Sequence, residues 1–358
     1  MTWETKQIEE ITQLNLIRDL KKTKGDVVWG YYTSAREKVL TEVVDEIKGY
    51  ESGLTDHGPR HLENVLGSIE LLLGDKVKEI NGVFLYVLLQ CVLFHDVGNV
   101  YGREGHNKAI KPIYDLVRGE SKNSDEQEER KVILSICEAH SGTTLDGSYD
   151  TLQHVVEITN IYGQNISPLE IASVLRFADE LSEGQQRTSE FMLTNDLYKD
   201  PELYFHQYAN CTKIHIDTDS ERIALIYHIQ LKEKLSEDRT KLTIEELTLF
   251  LPFLYNRIWK MNQERKYTKH YCDKYLFPFK SITVSIDFYW QDNPLNIVKE
   301  FIGLTDLVVP NDEEPTFIKK YPFFKIDNII SVLRANIKSS KPPGRIAKFF
   351  GKLDRGTL

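Results

Sequence analysis

The chain has 358 residues, of which 41% are hydrophobic and 28% are charged. This composition is ordinary for a globular protein that builds its own core. With 45 basic and 54 acidic residues the net charge is −9, which excludes a general attraction to duplex nucleic acid, because such binding needs clustered Lys and Arg. The four cysteines show no paired spacing, and Cys91 and Cys137 lie in apolar stretches. We therefore expect reduced, structural thiols, as in cytoplasm.

The N-terminal segment MTWETKQIEEITQ is charged and amphipathic, which is not typical of a secretory signal. By inspection, no apolar run approaches the ~20 residues that a membrane span requires. These features predict a cytoplasmic protein without membrane contact.

The first 200 residues are predicted to be mostly helical, because apolar residues recur at helical spacing. The strongest start signal is Ser167 as N-cap, with Pro168 in the first helical position and Glu170 closing a capping box. The acidic stretch 119–130 is predicted to be a solvated loop that leads into a helix. The predicted helices are 5–20, 36–48, 61–73, 83–95, 129–139 and 168–181.

After residue 200 the pattern changes to strands. The segments TKIHIDTD and RIALIYHIQL are rich in β-branched residues and predict a hairpin that turns at Asp219-Ser220. A capping box of Thr243 and Glu246 predicts a long helix to about Lys269. SITVSIDFYW (281–290) predicts a further strand.

This order predicts a mainly α protein: a helical bundle over 1–200 and a small α+β module over 201–358. The module could form a lid, a dimer surface or a docking site for another protein. It ends in a basic segment that is either a flexible tail or a contact for a partner or polyanion. The basic residues of this tail are Arg345, Lys348, Lys352 and Arg355.

The residues that indicate chemistry begin with His95-Asp96 in LLQCVLFHDVGNV. A very apolar helix ends in two side chains that can bind metal, and Gly98 then breaks it. Burying both groups costs several kcal/mol unless something compensates, and a bound cation does so directly. An isolated His-Asp dipeptide is nevertheless a weak signal.

Two further segments place similar groups nearby. LTDHGPRHLENVL has His57 and His61 four residues apart in the first turn of a predicted helix. In LRFADELSEGQQR, Asp179 lies late in the helix that begins after Ser167. Three helices thus each direct an imidazole or carboxylate inward, which is how helical bundles build metal sites.

The order His61, His95-Asp96, Asp179, with its local sequence contexts, resembles the HD superfamily of metal-dependent phosphohydrolases. The resemblance covers about residues 50–190. It implies a helical HD domain that binds one or two divalent metals, such as Mn, Fe, Mg or Zn. His106 and His140 lie where HD enzymes with binuclear centres have two extra histidines, so the resemblance implies that Asp96 bridges two ions.

The resemblance also implies a mechanism in which a metal-activated water attacks phosphorus. Asp96 and His95 would act in catalysis, and His57 is a candidate catalytic or substrate contact. Candidate phosphate contacts are Arg60, Lys108 and Arg187. The chain departs from the pattern of cyclic-dinucleotide phosphodiesterases, since it lacks their GYP segment and has Asn99 where a lysine often follows.

The predicted activity is hydrolysis of a nucleotide-type phosphoester or phosphoanhydride. An HD nuclease for single-stranded nucleic acid is an alternative, although no basic, aromatic-interleaved stretch supports it. A non-catalytic nucleotide sensor, with the module relaying the signal, is a second alternative. A di-iron oxygenase is a third, because some HD folds carry out redox chemistry.

Overall fold

The computed structural model describes residues 3–44, 46–47, 55–102, 105–306 and 317–340. Helices dominate this part of the chain, and the strands lie mainly toward its C-terminal side. The helices are α1 Gln7–Leu20, α2 Lys22–Lys38, α3 Pro59–Leu73, α4 Gly82–Phe94, α5 Ile110–Arg118, α6 Ser124–Ala139, α7 Pro168–Leu181, α8 Glu190–Thr194, α9 Glu202–Cys211, α10 Ile244–Tyr271, α11 Asp273–Leu276, α12 Phe317–Lys320 and α13 Ile326–Ser340.

Helix α4 is the centre of the bundle. All of its residues are buried, and Asn81 caps its start by accepting hydrogen bonds from the Val83 and Phe84 amides. Within the described residues one segment, Gly82–Tyr101, is long and apolar enough to span a membrane. The prediction that no apolar run approaches this length was therefore wrong. However, 94% of the most apolar window of this segment is buried inside the protein. Its hydrophobicity is therefore explained by packing against the surrounding helices.

The mainly helical prediction is confirmed, with two corrections to element bounds. The predicted helix 36–48 is the end of a longer one, since α2 begins at Lys22 and continues into a π-helical turn, Val39–Val43. The acidic stretch 119–130 is not all loop, because Asn123 accepts a hydrogen bond from the Glu126 amide and α6 begins at Ser124. A solvent-facing first turn carries no apolar periodicity, so the pattern hid the start of the helix.

The predicted hairpin and long helix are also present. Strands β3 (Thr212–Asp217) and β4 (Arg222–Leu231) pair antiparallel, and β4 then pairs in parallel with β5 (Ser281–Trp290) after the chain has passed through α10. Thr243 and Glu246 form the predicted capping box. Alternate residues of β4 and β5 are buried, so one face of this sheet packs on the protein. The strands are β1 Thr159–Ile161, β2 Gln164–Ile166, β3 Thr212–Asp217, β4 Arg222–Leu231, β5 Ser281–Trp290, β6 Asn293–Pro294 and β7 Ile302–Thr305.

The α+β module packs directly on the helical bundle. One hydrophobic cluster contains residues of α4 and α7 together with residues of β4, β5 and α10. Arg176 of α7 makes a two-pronged ion pair with Glu264 of α10, with atoms 2.7 and 2.9 Å apart. The boundary at residue 200 stays a prediction. The basic segment 341–358 lies outside the described residues.

Candidate metal centre

The first candidate ligand, His61, lies in the first turn of α3. Pro59 occupies the first turn of this helix, where its missing N–H leaves no hydrogen bond unmade. The Asp56 carboxylate accepts a hydrogen bond from the Gly58 amide and fixes the approach of the chain. His61 is buried, so its imidazole faces the interior of the bundle.

His95 and Asp96 follow the last residue of α4. The Nδ1–H of His95 donates to the Val92 carbonyl oxygen, 2.9 Å away, so Nε2 points toward the other candidate ligands. A neutral ring in this orientation has the tautomer that metal-binding histidines usually adopt. Asp179 completes the set from α7, whose start is capped by Ser167 as predicted, although the described residues show no return hydrogen bond from the Ser167 amide to the Glu170 side chain that would close the predicted capping box.

The ligand atoms of His61, His95, Asp96 and Asp179 all lie within 4.8 Å of one another. His61 Nε2 is 3.4 Å from His95 Nε2 and 3.2 Å from Asp179 Oδ1. Two atoms that each bind one ion at about 2.1 Å, with an angle of 90–110°, are about 3.0–3.4 Å apart. The spacing of these side chains therefore fits a single shared cation.

A second set of candidate ligands is built around the other side of Asp96. His106 Nε2 lies 3.4 Å and His140 Nε2 3.5 Å from Asp96 Oδ1. The Nδ1–H of His140 donates to the Cys137 carbonyl oxygen, so Nε2 faces the carboxylate. A Cβ atom at Gly98 would lie 1.9 Å from the His106 carbonyl oxygen. Only glycine therefore lets the turn after Asp96 approach His106 this closely.

The two oxygens of Asp96 face different histidines. Oδ2 lies 3.3 Å from His95 Nε2 and 3.6 Å from His61 Nε2, whereas Oδ1 faces His106 and His140. A carboxylate in this position can bridge two cations, one on each oxygen. The donor set is nitrogen and oxygen only, which suits Mn, Fe, Zn and similar divalent ions.

The electrostatics of the cluster favour a cation. Burial alone would raise the pKa of Asp96 and of Asp179, but the neighbouring imidazoles hold both values well below the ordinary range. Burial alone would lower the pKa of His95, yet the same two carboxylates hold it well above its usual value. Burial lowers the pKa of His140. The buried carboxylate of Asp96 and the partly buried one of Asp179 thus keep their charge, and a divalent ion is a direct way to balance it.

His57 and Arg187 lie beside the centre. His57 Nδ1 is 2.7 Å from Asp96 Oδ2, and Arg187 Nη2 lies 3.2 Å from both ring nitrogens of His57. Burial is the main reason that the pKa of His57 falls to about 4. A neutral His57 donates from Nδ1 to the carboxylate and accepts from Arg187 at Nε2. Arg187 is buried and also donates to the Asp56 carbonyl oxygen.

The remaining predicted contacts, Arg60 and Lys108, are exposed. Lys108 lies in the turn that carries His106, and Arg60 precedes His61 in α3. No hydrogen bond or ion pair between either side chain and the clustered ligands is found in the described part of the chain. Their role in phosphate binding stays a prediction, as does the substrate contact of Arg187.

The sequence analysis missed two charged residues, Glu183 and Arg257, that are connected to the centre through Arg187. Glu183 pairs with Arg187 at 3.4 Å and with Arg257 of α10 at 3.3 Å. The four-residue spacing of Glu183 and Arg187 was a usable signal. Arg257 is 74 positions from Glu183, and nothing in the sequence connects the two.

Bound metal is expected to stabilise the protein. A cation that binds only the folded chain adds ~2.7 kcal/mol at a free concentration 100-fold above its dissociation constant. Thermal unfolding of chelator-treated protein, with and without Mn²⁺, should show a higher midpoint with metal. Replacement of exposed His215, on β3, should keep this increase, whereas Asp96→Ala should remove it. An equal increase in Asp96→Ala would contradict binding at this centre.

Comparison with known proteins agrees with this arrangement. No curated protein and no solved structure matches the chain. The sequence model of one family, described as HD-CE, matches residues 50–251, which is more than half of the 358 residues. The matched range contains His61, His95, Asp96 and Asp179, the side chains that meet in the buried cluster. The chain therefore belongs to the HD-CE family, and its HD-type domain carries a candidate metal site.

Proposed function

We propose that the protein is a metal-dependent phosphohydrolase or phosphodiesterase that acts on a nucleotide-type phosphoester or phosphoanhydride. The observation that carries the proposal is that the two oxygens of the Asp96 carboxylate face two different pairs of histidines. A site for one structural ion does not need a carboxylate shared in this way. Two adjacent divalent ions are the usual arrangement for hydrolysis of phosphate esters.

When bound, the ions supply Lewis acidity and a water molecule of lowered pKa. The chain's own groups hold the site in shape. His57 fixes one oxygen of Asp96 by a hydrogen bond, and the carbonyl oxygen of Val92 orients the ring of His95. Arg60 and Lys108 are the exposed cations nearest in sequence to the ligands, and we assign them to the substrate phosphate.

A panel of substrates tests this function. Metal-free protein is loaded with Mn²⁺ and incubated with nucleoside triphosphates, cyclic nucleotides, cyclic dinucleotides and labelled single-stranded oligonucleotides. Product masses distinguish phosphodiester from phosphoanhydride cleavage. We expect turnover of at least one nucleotide by the wild-type chain and none by Asp96→Asn.

The other outcomes discriminate the remaining functions. Cleavage of oligonucleotides alone would identify a nuclease. Binding of a nucleotide without any product would identify a sensor. Oxygen consumption in place of phosphate release would identify an oxygenase. Each of these results would overturn the proposed hydrolysis of nucleotides.

A further inference from the structure

A chain of buried charges connects α10 to the candidate metal centre. The path runs from Asp96 through the neutral His57 to Arg187, Glu183 and Arg257, and its four charged members alternate in sign. Each side chain contacts the next at 2.7–3.4 Å, and none of the last four is more than 15% exposed. Charges this well shielded from water interact more strongly than surface ion pairs.

The contact between Arg187 and His57 fixes the orientation of the His57 imidazole. Arg187 has no acceptor atom, so its Nη2 can only donate to His57. The ring must then present an unprotonated nitrogen to Arg187 and its N–H to Asp96. Removing the guanidinium therefore frees the ring to turn away from the carboxylate that both sets of histidines share.

The outer links fix Arg187 itself. Its Nη1 lies 3.4 Å from Glu183 Oε1, and the same Oε1 lies 3.3 Å from Nη2 of Arg257. Arg257 is 13% exposed, and its guanidinium lies over the ring of Tyr208, 5.1 Å from the ring centre. Glu180, which directly follows Asp179, is also 3.3 Å from Arg257. Arg257 thus anchors the segment that joins Asp179 to Arg187.

We propose that Arg257 is a positioning residue that holds His57 against Asp96 through Glu183 and Arg187, so that α10 sets the geometry of the metal centre. Arg257 lies beyond residue 251, where the family match ends. The outer end of this link therefore lies outside the matched range, whereas its other members lie inside it. The inference rests on the metal centre of the proposed function but not on its substrate.

Cobalt binding tests the link without any substrate. Metal-free protein is titrated with Co²⁺, and the visible absorption of the bound ion gives the dissociation constant and a signature of ligand geometry. Loss of groups that orient metal ligands usually weakens binding by about 10–100-fold. We expect Arg187→Gln to fall in this range and Arg257→Gln near its lower end, with an altered spectrum in both. Arg257→Lys, which keeps the charge, should restore most of the affinity.

The double variant R187Q/R257Q makes the test specific. If Arg257 acts through Arg187 rather than through its contact with Glu180, the double variant binds Co²⁺ as weakly as Arg187→Gln alone, because the link to His57 is already broken. The matched control is Arg239→Gln. This arginine pairs with Asp196 and with Glu246 of α10, but among the described residues it has no ion pair with His57, Arg187, Glu183 or Arg257. Its substitution should leave the affinity and the spectrum unchanged.

Two results would overturn the inference: wild-type Co²⁺ affinity in folded Arg257→Gln, or effects of the two arginine substitutions that simply add. If Arg257→Gln fails to fold, Glu183→Gln breaks the same link from its other side and should reproduce the loss. Failure of the proposed function is recognised separately. In that case the substrate panel gives no product, whereas the Co²⁺ titrations still report the coupling.

Discussion

Replacement of Asp96 with asparagine is expected to remove both ions of the proposed centre and to abolish the proposed hydrolysis. Asparagine has nearly the same shape, but it has one acceptor oxygen and no charge. One set of histidines then faces an amide N–H, and the other loses its anionic partner. Without a metal-activated water we expect the rate to fall by about a thousandfold or more. Elemental analysis should give the metal content per chain, and product formation should give the rate.

Substitutions of residues that belong to only one of the two ligand sets provide the comparison for this result. His61 and Asp179 serve only the first set, whereas His140 serves only the second. We expect His61→Ala or Asp179→Asn to lower the metal content from two ions to one, and His140→Ala to do the same from the other side. Full metal content in Asp96→Asn would rule out a carboxylate shared by two ions.

The largest loss of stability is expected at Glu129 of α6. Its carboxylate is fully buried and accepts hydrogen bonds from the hydroxyls of Tyr86 and Tyr162 and from Arg118, whose Nη2 is 2.8 Å away. Alanine at this position leaves the largely buried guanidinium of Arg118, whose side chain is 12% exposed, without its counter-ion. Breaking a buried pair in this way costs about 3–5 kcal/mol. Chemical denaturation in the presence of a chelator measures the change without any contribution from bound metal.

Glu128→Ala, on the same helix, is the control. Glu128 is about one-third exposed, pairs with Lys131 at 3.7 Å and accepts a hydrogen bond from the Thr159 hydroxyl, so its loss should cost only about 1–2 kcal/mol. Replacing Glu129 and Arg118 together with apolar residues should recover part of the loss, because no unpaired charge then remains. An effect of Glu129→Ala no larger than that of Glu128→Ala would refute the buried network.

The candidate ligands could be chosen from sequence because their chemistry conflicts with their surroundings. His95 and Asp96 end a helix that is otherwise apolar, and such groups are rarely buried without a partner. The sequence also offered His57 as a candidate, but it could not show whether this ring contacts substrate or another side chain. In the structure it lies between Asp96 and Arg187.

Other features depended on contacts that are distant in sequence. Glu129 looks like one more charge in an acidic stretch, and only the folded chain brings Tyr86 and Tyr162 to its carboxylate. Arg257 lies on a helix whose start was predicted from Thr243. Helical spacing shows which residues share a face, but it does not identify the buried partner of a charge on that face.

The glycine after His95-Asp96 has a consequence for how many ions the protein can hold. At Gly98 the carbonyl oxygen of His106 occupies the space that any side chain would need. A single methyl group there would push the His106 turn outward while His61, His95 and Asp179 kept their places. The number of ions in the proposed centre would then depend on the space beside the backbone of Gly98, even in a chain that retained every ligand.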